Sequence, residues 1–472
     1  MKKYKIAVFV DHDIMVRHFL KSGAFDELMR QHDVSLVLPP EGSRRLTSDI
    51  TEYAKHAKIE HLEVPADRRS LWSRLIQVSA MRPPLTRHTR YTRRIWRRTM
   101  NWRAAVLYTV LGLPGIYQLF RIWAFKRLNK TENTALKKLL DAGHFDLVIN
   151  PGVPLGVYIE DLTLETRCRE IPFIHIMNSW DNPSLAFLPA GFPDFYAAWG
   201  TQTANHATHF LGMPAERVIS LGAAQFEVYN TPPRMDRQTF CERHNINPEH
   251  KILLYAGGSL GTNEYEHLQH IERQIEDGTF PNLTVVYRPH PWGGGGNAGE
   301  QIIAHGWHHI RIESTMRSYL EALRDRGYHM TFPDYRDTHD VLSSVDCVVS
   351  PLSTIIIEAA LHRKPVMCFL PLEDLNAEHF QAVHDLPHFQ DLLIDPNILV
   401  ARGKGELTAK LNTLLESCSD TTFETRIAKT CEFFVARFET PYGDRLCQLA
   451  GEIITQKNAS AHKAHPTENF TQ

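Results

Sequence analysis

The segment Val345–Pro371, VDCVVSPLSTIIIEAALHRKPVMCFLP, packs a strand, a short loop, a helix and a second strand into one compact unit. Its apolar runs Cys347–Val349 and Val366–Leu370 lack polar alternation, as strands do when helices cover a parallel sheet on both faces. Working outward, runs of the same kind recur at Ile252–Tyr255 and Leu283–Tyr287. In the first half they recur at Ile6–Val10, Val34–Leu38, Leu147–Ile149, Phe173–Met177, Phe195–Trp199 and Val218–Leu221. Longer helical patterns separate them. This alternation predicts an α/β chain of two Rossmann-like, doubly wound parallel-sheet domains facing a cleft. A length of 472 residues favours two cores over one.

The stretches TPPRMD and NINPEH are linker-like and place the domain boundary within Tyr229–Pro248. The expected organisation is an N-terminal domain over residues 1–235 and a C-terminal domain over 236–422. A helical segment over 423–455 and a polar, disordered tail over 456–472 follow.

With 43% hydrophobic and 22% charged residues the composition is globular, and a net charge of -2 gives the whole molecule no polyanion-binding character. No nucleic-acid partner is expected. The seven cysteines are scattered without a CxxC, the pattern of reduced thiols. The N-terminal apolar stretch is cut by Asp11 and Asp13, too early for a secretory signal, so a cytoplasmic protein is expected.

One segment departs from this pattern. Residues 68–131 contain no Asp or Glu, and arginines crowd between Arg82 and Arg103 among Tyr91, Trp96 and Trp102. The uncharged run AAVLYTVLGLPGIYQLF follows, too short to span a bilayer and interrupted by Pro114. Basic and aromatic residues in that arrangement suit anionic headgroups, so Arg82–Phe120 is expected to touch a membrane surface.

In open parallel sheets, ligands bind beyond the carboxyl ends of the strands. After the run ending at Tyr255 come Gly257, Gly258 and Thr262, where backbone N–H groups and a helix N-terminus could meet a diphosphate. After the run ending at Tyr287 come Arg288-Pro289-His290-Pro291 and four glycines, Gly293 to Gly296. Arg288 offers a permanent charge, His290 a hydrogen bond to phosphate, and the glycines a mobile flap. Ser353 and Thr354 offer hydroxyls at a helix start, and Glu358 lies one turn further on.

In the first half, Asn178-Ser179-Trp180-Asp181-Asn182 follows a strand. Trp180 could stack on a sugar and Asp181 and Asn182 could bond its hydroxyls, although a tight Asx turn uses the same residues. Asp11-His12-Asp13 follows the first strand. Asp13, then His12, is the expected general base, with Asp181 a further catalytic candidate and an N-cap role for Asp13 as the alternative. The pairs His267/His270 and His305/His308 have metal-compatible spacing but no nearby third ligand, and are read as solvated helix faces. No metal is expected.

The run from Asp340 to Val366 resembles the donor-nucleotide half of GT-B glycosyltransferases, where Glu358 matches a glutamate that holds the ribose. The RPHP element with Ser353-Thr354 is similar to the HP and S-S/T motifs of CMP-sugar transferases, with related elements in CDP-glycerol glycerophosphotransferases and capsule-type transferases. The S-W-D-N element looks like one found in bacterial surface-polysaccharide transferases. These resemblances imply that His290, Ser353 and Thr354 contact a donor phosphate. They imply an enzyme that moves sugar from a nucleotide-sugar co-substrate to a lipid-linked or growing glycan, such as lipopolysaccharide or capsule, at the inner face of a bacterial inner membrane. No other cofactor is implied. Ser350 stands where many retaining members carry a glutamate, and Arg363 where a glycine is usual, so the stereochemistry stays open. A polyol-phosphate transferase, a non-hydrolysing sugar-nucleotide epimerase and a non-catalytic nucleotide-sugar sensor are the alternatives.

Overall fold

The computed structural model describes residues 3–83, 87–156, 158–258, 262–291, 299–326, 333–374, 380 and 382–464. The chain divides into two units, Met1–Gln225 with Val435–Gln472, and Phe226–Phe434. Each is built on one parallel sheet.

In the first unit the strands are β1 (Lys5–Phe9), β2 (Asp33–Leu38), β3 (Ala57–His61), β4 (Leu147–Gly152), β5 (Phe173–Met177), β6 (Phe195–Ala198) and β7 (Val218–Ser220), in the spatial order β3-β2-β1-β4-β5-β6-β7. In the second they are β8 (Lys251–Ala256), β9 (Leu283–Arg288), β10 (Ile310–Ile312), β11 (Cys347–Ser350), β12 (Val366–Leu370) and β13 (Ile398–Arg402), in the order β10-β9-β8-β11-β12-β13. The order reverses beside β1 in one sheet and beside β8 in the other, which opens a crevice at the strand ends there. Central strands such as β4 and β9 are buried at every residue, as sheets covered on both faces require. The three strands not expected from the sequence, β3, β10 and β13, are all edge strands. An edge strand has one ladder unpaired and need not be apolar throughout; β3 reads AKIEH and is largely exposed.

The C-terminal region differs from the expected helix-then-tail. The helix Phe423–Phe434 belongs to the second unit, whereas the segment after it lies on the first. Ala436 donates its N–H to the Trp199 carbonyl at 2.8 Å, and Arg445 reaches the Leu221 carbonyl at 2.9 Å. The helix Tyr442–Ala464 then buries Leu446, Ala450, Ile453 and Ile454 in the same cluster as Phe25 and Leu28. That spacing of three and four residues forms one apolar stripe. The helix extends through residues 456–464, where the sequence predicts a disordered tail; residues 465–472 lie outside the described residues.

The basic segment is helical: Ala66–Met81, Arg87–Thr99, Trp102–Leu111 and Pro114–Lys130. A buried ionic clasp ties it to the Rossmann core. Asp161 accepts from Arg68 Nε at 3.2 Å and Nη2 at 2.5 Å, from Trp72 Nε1 at 2.8 Å and from Asn133 Nδ2 at 3.0 Å. Arg68 Nη1 caps the carbonyls of Leu128 and Thr131, both at 2.6 Å. Asp161 and Arg68 are 0% and 3% exposed, so losing either charge strands the other in a medium that solvates it poorly. Asp161→Asn is expected to lower the stability of the first unit by about 3–5 kcal/mol, read as a shift in the urea midpoint.

Candidate functional site

In the second unit the registers Ala256↔Arg288 and Tyr255↔Val349 bring Arg288, Ala256 and Ser350 to one level across three neighbouring strands. All three face the same side of the sheet at its carboxyl edge, with Arg288 and Ser350 roughly 10 Å apart by strand spacing. Arg288 is 5% exposed, and its nearest carboxylate, Glu313, stands 4.0 Å from Nε. Glu313 is already occupied by the start of the helix Ser314–Arg326, accepting from the N–H groups of Thr315 at 2.8 Å and Met316 at 3.2 Å. Arg288 Nη1 has no hydrogen-bond partner among the described residues, and neither has the fully buried Ser350 hydroxyl. A buried donor left over costs about 1–3 kcal/mol, which an anionic oxygen would recover.

Around this row lie other residues singled out from the sequence. His290 is partly exposed two residues beyond Arg288, while Gly293 to Gly296 lie outside the described residues. Ser353 and Thr354 lead into the helix Ile355–Leu361; both are partly exposed, and Thr354, its N-cap, makes no side-chain capping bond. Glu358 is buried on that helix and accepts the Tyr229 hydroxyl. Tyr229 was not expected from the sequence, because nothing in a polar linker marks a residue 129 positions from its partner.

Behind Tyr229 runs a two-histidine chain. His339 Nε2 meets the Thr231 carbonyl at 2.7 Å, His362 Nδ1 meets the Glu358 carbonyl at 2.7 Å, and the rings join through Nδ1···Nε2 at 2.8 Å. The Tyr229 ring packs against this pair, its centroid 4.4 Å from that of His362.

In the glycine turn after β8, the described groups bond within the protein. Gly258 N–H donates to Glu264 Oε1 at 2.9 Å, the Thr262 hydroxyl to the same oxygen at 3.2 Å, and Tyr287 to Oε2. Gly257 donates to the Arg288 carbonyl at 2.9 Å, and a Cβ there would lie 2.7 Å from both Glu264 oxygens. The polar groups of Gly257, Gly258 and Thr262 are thus spent on holding the turn. Ser259, Leu260 and Gly261 lie outside the described residues. Burial pushes the Glu264 carboxyl up, against the bonds it accepts. His267, read as solvated, is fully buried between the Tyr255 hydroxyl at 2.8 Å and Asp374 at 3.1 Å; His270 meets Thr408 at 3.1 Å. His305 is partly buried against Tyr265, and only His308 is exposed.

In the first unit, Asp13 accepts from Thr47 N–H at 2.9 Å, Thr47 Oγ1 at 2.8 Å and Ser48 N–H at 2.8 Å. Burial alone would raise its carboxyl, but the Ser48 and Thr47 bonds outweigh burial and hold it below its ordinary 3.8. A carboxylate so depressed and so fully engaged is a poor general base. Asp13 instead anchors the loop after β2. The helix cap is His12, whose Nδ1 accepts from Ile14 N–H at 3.2 Å, leaving the neutral ring its proton on Nε2. Burial and then Arg45 lower its pKa.

The S-W-D-N element also differs from expectation. Trp180 is 3% exposed and presents no stacking face. Asn182 Oδ1 accepts from the N–H groups of Asn178 at 3.2 Å and Ser179 at 3.1 Å, the Asx-type alternative. Asp181 is the member left for chemistry. It is partly exposed, and burial raises its carboxyl, with the Ser179 bond opposing. Two phenols feel it: burial and then Asp181 push Tyr91 up to about 12, and Tyr196 rises for the same two reasons.

No family model matches the chain, and no curated protein sequence does. Solved structures do match. A putative UDP-N-acetylglucosamine 2-epimerase from Listeria monocytogenes superposes with a TM-score of 0.53 at 12% identity over 100% of both chains. The UDP co-structure of S. aureus MnaA gives 0.52 at 12% identity over 96% of this chain and 97% of that one. A further UDP-N-acetylglucosamine 2-epimerase gives 0.50 at 11% over 100% of both. The fold is GT-B. At these identities the likeness carries the fold and no more.

Asp13 supplies a pH test of its anchoring role. Its folded pKa is depressed, so its contribution is fully present above about 3.8 and fades as pH falls through the lower folded value. Asp13→Asn is expected to cost about 1–2 kcal/mol at neutral pH in urea unfolding, with the difference from wild type shrinking in strongly acidic solution.

Proposed function

We propose that this chain is a glycosyltransferase. The second unit binds a nucleotide-sugar donor, and the first supplies acid–base chemistry for a glycan acceptor associated with a membrane. The observation that carries the reading is Arg288, a buried guanidinium with an unmatched donor at the strand ends beside Ser350. Ser353, Thr354 and His290 supply further polar groups for a phosphate, and Glu358, braced by Tyr229, is suited to ribose hydroxyls. A permanent cation and oriented hydroxyls can stabilise the charge that grows on a departing nucleotide without a metal ion. Asp181 is the proposed base: its raised carboxyl accepts a proton from an acceptor hydroxyl more readily than an unperturbed aspartate. The proposed setting is lipopolysaccharide or capsule assembly at the cytoplasmic face of a bacterial inner membrane.

A second reading is favoured by the superposed structures, whose names identify UDP-N-acetylglucosamine 2-epimerases. The two readings part on the acceptor. A transferase releases nucleotide only when a glycan acceptor is present, whereas an epimerase converts donor alone into a second nucleotide sugar.

Donor is expected to raise the melting temperature in a panel of UDP-, GDP-, CMP-, CDP- and TDP-linked sugars, and Arg288→Ala to abolish the shift. Asp181→Asn should retain the shift and lose turnover by about 100-fold or more. Since Asp181 acts as carboxylate, wild-type rate should rise with pH through its raised pKa. A donor shift that survives Arg288→Ala, or epimer formed without acceptor, overturns the transferase reading.

A further inference from the structure

Among the described residues, nine of the fourteen exposed large hydrophobic side chains lie between Trp102 and Trp123. Eight of them occupy two consecutive helices, and Leu113 lies between the two. Trp102–Leu111 buries none of its residues and exposes Trp102, Val106, Leu107 and Val110 along one face. Pro114–Lys130 is apolar on two sides. Tyr117, Ala124 and Leu128 face inward, Ala124 and Leu128 against Leu71, Trp72 and Leu75, while Ile116, Leu119, Ile122 and Trp123 face out. The outward set recurs every three to four residues, with Leu119 at 71% and Trp123 at 52% exposure. Soluble monomers rarely keep so continuous an apolar surface uncovered.

Charge identifies the cover. Arg94, Arg97 and Arg98 stand exposed on the adjoining helix Arg87–Thr99, and Arg97 bonds Thr109 of the first apolar helix at 3.1 Å. Arg103 lies over the Trp102 ring at 5.5 Å. No acidic residue occurs from 68 to 131. A protein partner with an apolar face would leave this cationic rim unmatched, whereas anionic headgroups above acyl chains match both parts.

We infer that Trp102–Leu111 and Pro114–Lys130 form a monotopic wedge. It enters one leaflet of an anionic bilayer with Trp102, Leu107, Leu119 and Trp123 at the acyl boundary and the arginines among the phosphates. The wedge does not cross. Its arms have 10 and 17 residues, about 15 and 25 Å, against a hydrocarbon core of about 30 Å, and they meet at 95°. The inner face of the longer arm is committed to the protein. No single described helix is long and apolar enough to span. This deepens the proposed membrane-associated acceptor by naming the surface that brings the chain to it, but it does not depend on which reaction follows.

The experiment is flotation of the full chain with phosphatidylcholine vesicles, with and without phosphatidylglycerol, alongside the donor melting shift on the same samples. Wild type is expected to float with anionic vesicles only. Leu119→Glu with Trp123→Glu should weaken partitioning roughly tenfold or more with the melting temperature kept, because both side chains are exposed. Arg97→Ser with Arg98→Ser should weaken it and make what remains less sensitive to salt. Quenching of tryptophan by brominated acyl chains should vanish in Trp102→Phe with Trp123→Phe. Absence of flotation overturns the wedge, as does flotation undiminished by the glutamates, equal binding to an RNA oligonucleotide, or a dimer that the glutamates dissolve. Loss of the donor shift alone would overturn the transferase reading and leave the wedge standing.

Discussion

Parallel pairing is the constraint from which the other features of this protein follow. Two strands running the same way cannot be joined by a tight turn, so every connection must cross over a sheet face, and helices come to cover both faces. The central strands are then buried throughout, as β4 and β9 are, and the loops after them gather on one edge. The polar groups with chemistry to offer sit at such an edge in each unit: Arg288 at the end of β9 and Ser350 at the end of β11 in the second, and Asp181 just beyond β5 in the first.

Burial at that edge acts in two directions. Where partners suffice, a polar group becomes architecture. Asp13 takes three hydrogen bonds and holds a loop, Asn182 closes a turn, and Glu264 consumes the donors of Gly258 and Thr262. Where partners fall short, the group keeps unspent capacity, as Arg288 does. The same accounting governs the Arg68–Asp161 clasp, in which every strong donor and acceptor is met, so that a charged pair can sit inside an apolar insert and fix its helices to the core. The apolar wedge is thereby held on a rigid mount.

Much of the fold was legible because the apolar runs are short, β-rich and regularly interrupted, and parallel strands apolar on both faces need helices covering each side. Edge strands escaped because their pattern is set by half a sheet environment. The final helix was legible as an amphipathic stretch from 423 onward, while the position of the switch, at Val435, is a matter of which core its stripe finds. Of the candidate site, residue types at strand ends were readable: Arg288, Ser353, Thr354 and Glu358 stand at the carboxyl edge. The hydrogen-bond partners of Asp13, Asn182 and the glycine turn, and the burial of Trp180, were not legible, because a sequence displays a side chain and conceals its neighbours.

The order of amino acids alone therefore sets the alternation of strand and helix, the two parallel sheets and the acid-free basic segment, each a local or periodic property. Packing alone sets which of two carboxylates is depressed and which is raised, which tryptophan is sealed in and which projects, and where a buried guanidinium keeps one donor unmatched. Those outcomes depend on meetings between residues far apart in the chain, Asp13 with Thr47, Arg68 with Asp161, Tyr229 with Glu358, and free energies of burial are decided by such meetings.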